Sequence, residues 1–238
     1  MGDLIKGIKN YFEKANCENA VIGLSGGIDS ALTLKLAVEA LGNKNVFAVL
    51  MPERRVTRKI NVDDAVKLCK ELKVKHKIVE ISKFLKPYKR LRWRSELALT
   101  NTKARIRANI LYAYANTCKA LVVGTSNKTE LLLGYGTKHG DIAADLFVLG
   151  SLYKTEVFEL AKKLGLPENI IKKTPSAELF RGQTDESELG GSYKEIDEIL
   201  KLIAQKQINK IKNKELYQKI LKRINNNKHK GKTPFVIK

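Results

Sequence analysis

The feature that most constrains this sequence is a six-residue bend, Ser25-Gly26-Gly27-Ile28-Asp29-Ser30, set directly between an apolar run and a helical pattern. Residues 20–24 (AVIGL) read as a buried strand. Beyond the bend, Leu32, Leu36 and Leu41 share an approximate helical face, and Gly42 is placed to end that helix. At a strand-to-helix turn, glycines without a Cβ let the backbone approach a ligand, and the helix N-terminus adds roughly half a positive charge. That geometry attracts phosphate. Asp29 would be repelled by a bare phosphate, so its presence points to a bridging Mg²⁺, a hard cation that takes carboxylate and phosphate oxygens together. Two commoner glycine loops are excluded by inspection: the lysine of G-x-x-x-x-G-K-[ST] is missing, and so is G-x-G-x-x-G.

The bend sits in a β-α-β-α rhythm. Residues 45–50 (NVFAVL), 77–81 (KIVEI) and 120–124 (ALVVG) repeat the short apolar run with little polar alternation, as strands buried on both faces of a parallel sheet do. Helical spacing fills the intervals: Leu4 to Phe12 before the sheet, residues 57–72, and about 102–118. Ser126 or Asn127 is placed to cap a short helix carrying Glu130, which Gly134 and Gly136 interrupt before a loop. Residues 153–164 are helical and stop at Gly165. Residues 181–192 (RGQTDESELGGS) read as a mobile loop, and two amphipathic helices fill 193–224. The expected architecture is a single α/β domain over 1–238, a doubly wound parallel sheet flanked by helices, with a helical C-terminal extension from about 193.

Composition bounds the chemistry. No apolar run approaches the ~20 residues of a membrane span and no signal-like N-terminus is evident, so a soluble cytoplasmic protein is expected. Cys17, Cys69 and Cys118 are dispersed, and three histidines are the whole supply, which argues against disulfide, zinc or iron-sulfur chemistry. The net charge of +20 is concentrated. Residues 201–238 hold 12 Lys/Arg against the single acid Glu215, and Lys83, Lys86, Lys89, Arg90, Arg92 and Arg94 surround Trp93. Such runs fit nucleic acid, a phosphorylated small molecule or a solvated surface.

S-G-G-x-D-S resembles the pyrophosphate loop of the PP-loop ATP pyrophosphatases, which cleave ATP between the α and β phosphates and adenylate a carbonyl or carboxyl oxygen. Four more segments resemble ammonia-dependent NAD synthetase: TNTKAR (100–105), GTSNKTE (124–130), GYGTKHGD (134–141) and KKTPSAEL (172–179). The resemblance implies an adenine nucleotide alpha-hydrolase-like fold. It places Gly23, Leu24, Ser25, Gly26, Gly27, Ile28, Asp29 and Ser30 around the ATP phosphates, with Thr125, Lys154 and Ser176 as further ATP contacts. It assigns Mg²⁺ to Asp29 and Glu130, and deamido-NAD to Arg105, Lys138, Asp145, His229 and Lys230. The chain departs from the bacterial pattern in GTSNKTE for G-T-D-H-A-A-E, His139 where Tyr is usual, and Ser176 where Thr is usual.

The chemistry so implied is a ligation in two steps, with adenylation of deamido-NAD by ATP followed by ammonia displacing AMP. Asp141 is the candidate to accept the ammonium proton. A glutamine-dependent enzyme would need a second catalytic domain for which this chain has no room, so free ammonia or a separate partner is the expected donor. The resemblance also implies a homodimer with deamido-NAD near the subunit boundary. Two alternatives stay open at this point: a tRNA-modifying PP-loop enzyme, which would use the positive charge on RNA phosphates, and a non-catalytic nucleotide sensor.

Overall fold

The computed structural model describes residues 2–54, 56–91, 95–176, 184–233 and 236–237. Five strands, β1 (Asn19–Gly23), β2 (Val46–Leu50), β3 (Lys75–Ile78), β4 (Ala120–Gly124) and β5 (Leu146–Phe147), form one parallel sheet in the order β3-β2-β1-β4-β5. Ala20 of β1 stands opposite Val46 on one side and Leu121 on the other, and Val123 of β4 opposite Leu146. The β-branched Val21, Ile22, Val49, Val122 and Val123 are buried at the centre, where such side chains pack well on a pleated surface. Strand order reverses between β1 and β4. The loops leaving their carboxyl ends therefore diverge and open a crevice, the usual ligand position in doubly wound sheets.

Helices cover both faces, as the sequence pattern leads one to expect. On one, α1 (Gly2–Lys14), α2 (Ile28–Leu41), α3 (Lys59–Glu71), α7 (Lys154–Lys163) and α8 (Glu168–Ile171) build the main core. On the other, α5 (Glu96–Cys118) lies over Val21, Val49 and Val122 and leaves Phe47, Ile110, Tyr112 and Tyr114 half-buried. Ile81 and Leu85, around α4 (Ser82–Lys89), pack on Ile106 of α5. At the C-terminal end, α6 (Lys128–Leu133), α9 (Asp185–Leu189), α10 (Tyr193–Ala204) and α11 (Lys214–Asn227) share a second core through Leu133, Ile196, Leu200, Leu216 and Ile220.

The structure corrects several local expectations. α2 is buried nearly all round, with Leu34 as inaccessible as Leu32 and Leu36, because the helix lies between the sheet and α1 rather than at the surface. β3 starts two residues early and is an edge strand with Lys75, Lys77 and Ile78 exposed; lysines on an edge discourage pairing with another chain. α5 begins at Glu96 because Ser95 caps it, its hydroxyl accepting from the Ala98 N–H. β5 has two residues, too few to show a period. α4 runs through the basic segment around Lys83 and Lys86, whereas Arg92, Trp93 and Arg94 lie outside the described residues.

Residues 184–190 form a capped helix rather than loop, and only Gly191 and Ser192 connect it to α10. Thr184 caps α9, Gly190 ends it at φ +79°, and Ser192 opens α10 in a capping box with Glu195. Residues 177–183, and with them the first part of the expected loop, lie outside the described residues.

Candidate active site

The bend after β1 is held by its own serines. The Ser30 hydroxyl donates to the Gly27 carbonyl at 3.0 Å, the Ser25 N–H donates to Ser30 Oγ at 3.2 Å, and the Gly27 N–H donates to Ser25 Oγ at 3.2 Å. Gly26 has φ +83°, and a Cβ there would lie 2.2 Å from the Asn61 carbonyl oxygen of α3, so only glycine fits. Gly27 is the N-cap of α2 and supplies no side-chain cap, which leaves the first-turn N–H groups for a ligand.

Three charged groups converge beneath this bend. Asp29 stands in the first turn of α2, Glu130 in α6 and Lys154 at the start of α7. Lys154 Nζ is 2.5 Å from Asp29 Oδ2 and 3.5 Å from Glu130 Oε1, and Lys154 is 1% exposed. Burial alone would lower the lysine's pKa. The carboxylates of Asp29, Glu130 and Asp185 outweigh it and hold the ammonium above its ordinary value. Glu130 is driven upward first by burial and then by the neighbouring Asp29 charge, with Lys154 opposing.

Asn127 joins the two acids. Fully buried, it donates from Nδ2 to Asp29 Oδ1 at 2.9 Å while its Oδ1 accepts from the Glu130 N–H at 3.0 Å; its own N–H donates back to Glu130 Oε2 at 3.2 Å. The result is a capping box whose cap also fixes Asp29. Two more ties set the spacing of α6 and α7. The buried Asp197 carboxylate accepts from the Thr129 hydroxyl at 2.5 Å and from the Thr155 N–H at 2.8 Å.

Asp29, Glu130 and Lys154 line a cleft of about 1030 Å³ at the carboxyl edge of the sheet. Of the residues expected to bind ATP or metal, Gly23, Leu24, Ser25, Gly27, Ile28, Asp29, Ser30, Thr125, Glu130, Lys154 and Ser176 all line it. Gly26 is not among the lining residues; its carbonyl accepts from Lys173 Nζ at 3.0 Å, and Lys173 itself lines the cleft. Asp141 and Lys230 line the cleft too. Asp141 Oδ1 accepts from the Thr137 N–H at 2.9 Å, and although the residue keeps an exposed side, the protein packed around it raises its pKa. Lys230 Nζ donates to the carbonyls of Gly134 and Gly136, both at 2.9 Å, which fastens the end of α11 to the loop after α6.

Arg105, Lys138, Asp145 and His229 are not among the lining residues. Arg105 is exposed on α5 and donates from Nε to the Lys138 carbonyl at 3.3 Å; the Asp145 carboxylate accepts from the Val122 N–H at 2.7 Å; His229 is exposed. Sequence reasoning missed Lys173, Asp185 and the bridging role of Asn127. Asp185 is buried and accepts from the hydroxyls of Tyr193 at 2.9 Å and Tyr135 at 3.1 Å. Only Asn127 carried a signal, as a helix cap three residues before a glutamate.

The acid pair suits Mg²⁺ in chemistry. Two neighbouring carboxylates, with the Asp29 charge helping to raise the pKa of Glu130, stand beside a bend built for phosphates and match a cation commonly bound by one or two carboxylates and substrate phosphate oxygens. Among the described residues no cluster of three or more side chains can hold a metal unaided.

Comparison with known proteins agrees with this geometry. The family model described as NAD synthase matches residues 1–234. The NH(3)-dependent NAD(+) synthetase of Archaeoglobus fulgidus is 42% identical over 237 residues, 99% of this chain and 94% of its own. Among solved structures, the NMN synthetase of Francisella tularensis superposes with TM-score 0.90 at 34% identity, covering 99% of this chain and 96% of that one. The NH3-dependent NAD synthetase of Campylobacter jejuni superposes with TM-score 0.86 at 38% identity, covering 100% and 96%. An ATP-loop bend at the strand-order reversal, the acid pair beneath it and near full-length similarity lead to one conclusion: this chain belongs to the NAD synthase family.

Proposed function

We propose that the cleft carries out the two-step amidation expected of this family with the residues named above in specific roles. The chain is an ATP-using carbon-nitrogen ligase that amidates deamido-NAD with ammonia. The tRNA-modifying and sensor readings lose their basis with the full-length family match. The observation that carries the role assignment is the convergence of Asp29 and Glu130 on one buried lysine directly under the glycine bend.

In this reading the bend and the N-terminus of α2 hold the ATP phosphates. The nicotinate carboxylate of deamido-NAD attacks the α-phosphorus, and the loop N–H groups stabilise the charge that gathers on the departing pyrophosphate. Ammonia then attacks the acyl-adenylate carbonyl and AMP leaves. Asp141, on the cleft wall with a raised pKa, takes the ammonium proton. Asp29 and Glu130 would hold Mg²⁺, whose charge neutralises the phosphate oxygens when bound. Lys154 offsets part of the repulsion between the two acids.

Arg105, Lys138, Asp145 and His229 are assigned to deamido-NAD reaching the cleft from a neighbouring subunit's boundary. Their place supports this. Asp145 touches Tyr112 on the side of the sheet that α5 covers, and the exposed stripe Arg105, Asn109 and Ala113 runs along the same helix. A second copy packing α5 against α5 would cover the half-buried Phe47, Tyr112 and Tyr114, so the active unit in this proposal is a homodimer. Residues 1–238 act as one synthetase domain in which α10 and α11 close the cleft through Lys230. Among the described residues no helix is long and apolar enough to cross a membrane, and we place the reaction in the cytoplasm.

The test supplies ATP, Mg²⁺, ammonium and deamido-NAD and measures AMP, pyrophosphate and NAD. Equal amounts of all three support the reading; ADP as the product overturns it. Because one solved relative is described as an NMN synthetase, the corresponding mononucleotide acid is run as a competing acceptor. Preference for it would move the adenylyl half of deamido-NAD out of the proposed site.

A further inference from the structure

We propose that Lys173 is a positioning residue for the ATP loop. It acts by holding the Gly26 carbonyl out of the phosphate site rather than by binding phosphate itself. The proposal rests on the reading of residues 23–30 as the ATP loop, and nothing in the motif resemblance assigns Lys173 a role.

Three separate elements meet at this lysine. Its Nζ donates to the Gly26 carbonyl at 3.0 Å and lies 2.5 Å from Asp64 Oδ2 of α3, with side-chain exposures of 15% for Lys173 and 9% for Asp64. Asn169 of α8 donates from Nδ2 to Asp64 Oδ1 at 2.6 Å, so the acid is held from both sides. The loop is pressed against the same helix one turn earlier, where Asn61 O occupies the space a Cβ on Gly26 would need. Lys173 is also only three residues before Ser176, the expected ATP contact.

The consequence is electrostatic and local. A carbonyl oxygen turned toward the β and γ phosphates would place partial negative charge against several full negative charges. With that oxygen bound to an ammonium, this peptide turns no carbonyl toward the phosphates, and its Gly27 N–H stays on the side of Ser25, which lines the cleft. The lysine's charge is already matched by Asp64, so the pair adds little net potential. Its contribution is the orientation of one peptide group. A charge-assisted hydrogen bond from a mostly buried lysine is strong enough to select between two orientations of a glycine peptide, which has no side chain to oppose a flip.

The test compares Lys173→Met, Lys173→Arg, Asp64→Asn and the double variant Lys173→Met/Asp64→Asn with the parent protein. ATP affinity is measured by calorimetry without acceptor, KM is measured for each substrate, and thermal melting monitors the fold. Loss of a charged hydrogen bond of this kind corresponds to roughly a tenfold or greater weakening of ATP binding in Lys173→Met. KM for deamido-NAD should stay within about twofold, and Lys173→Arg should recover most of the ATP affinity. The double variant leaves no unpaired buried acid, so it should regain melting temperature relative to Lys173→Met without regaining ATP affinity.

ATP binding by Lys173→Met equal to the parent would overturn the proposal. So would a parallel loss for both substrates that tracks the melting temperature across all four variants, because that is what a purely structural strut produces. The assignment of the reaction fails separately: a parent protein that binds ATP but does not turn over deamido-NAD would sink the reaction and leave the Lys173 result readable.

Discussion

Lys154 Nζ stands 2.5 Å from Asp29 Oδ2, joining the first residue of α7 to the first turn of α2 across 125 positions of sequence. Asp29 belongs to the ATP-loop motif, and Lys154 was expected only as a separate ATP contact. Their pairing gives Asp29 a counter-charge in the buried site, while burial and the Asp29 charge still push the pKa of Glu130 up to about 8 against the opposing Lys154. The ammonium supplies the positive charge that Mg²⁺ and substrate would otherwise bring.

Removing that ammonium should therefore destabilise the protein in a metal-dependent way. Lys154→Met leaves Asp29 and Glu130 facing one another with no counter-charge, a loss of about 3–5 kcal/mol by comparison with broken buried ion pairs. Added Mg²⁺ should raise the melting temperature of the variant more than that of the parent, because binding to the folded state alone stabilises it. Equal shifts in both proteins would contradict the assignment of these acids to the metal.

Asn127→Ala separates the roles of helix cap and bridge. The substitution leaves the Glu130 N–H without its cap and Asp29 Oδ1 without its donor, in a position with no solvent access. A cost of about 1–3 kcal/mol is expected from the unmet buried groups, with a fall in kcat larger than the rise in either KM. Asn127→Asp keeps the cap but adds a third carboxylate, and it should recover stability at low pH only. Melting curves at two pH values with steady-state kinetics check both expectations.

Asp141 sets the pH behaviour. Its folded pKa lies above the ordinary carboxylate value because of burial, so it favours the folded state below the unfolded value, and this contribution is lost as pH rises through the folded one. Asp141→Asn should accordingly be at least as stable as the parent at neutral pH. As a proton acceptor the group works only when ionised, so kcat/KM for ammonium should fall as pH drops through the raised pKa. In Asp141→Asn that acid limb should vanish, leaving the dependence set by ammonia itself. An unchanged profile would return Asp141 to a structural role, holding the Thr137 N–H.

How much of this was readable from the chain alone differs by element. The central strands and the glycine bend were legible because each is a local pattern: apolar runs, then a turn whose residue types admit few geometries. The strand at 77–81 was legible but its bounds were not, because β3 is an edge strand that begins at exposed Lys75, and the two-residue β5 has no period to read. Asp29, Glu130, Lys154 and Ser176 were placed by resemblance, and the cleft gathers all four. Lys173 and Asp185 were invisible for a different reason. Each is charged, in a polar stretch where most such residues are solvated, and only the packing of α3, α8, α9 and α10 buries them.

The subunit arrangement is open to a direct probe. Ala113 is exposed on α5 between the half-buried Tyr112 and Tyr114, so Ala113→Arg should leave the fold intact while opposing contact between two copies. Sedimentation should show the parent as a dimer and the variant as a monomer. The monomer should keep its ATP affinity and lose roughly tenfold or more in affinity for deamido-NAD, since Arg105, Lys138 and Asp145 would no longer meet a substrate held between subunits. Full deamido-NAD affinity in a monomer would contradict their assignment.

Isotope transfer reaches the chemistry itself. Deamido-NAD carrying ¹⁸O in its nicotinate carboxylate is converted with ATP and ammonia, and the AMP and pyrophosphate are examined by mass spectrometry. Attack of the carboxylate on the α-phosphorus, with later release of AMP by ammonia, predicts one ¹⁸O atom in AMP and none in pyrophosphate. Unlabelled AMP would show that the carboxylate does not attack the α-phosphorus, and ADP in place of AMP would show that the bend at residues 25–30 does not direct cleavage to the α–β bond.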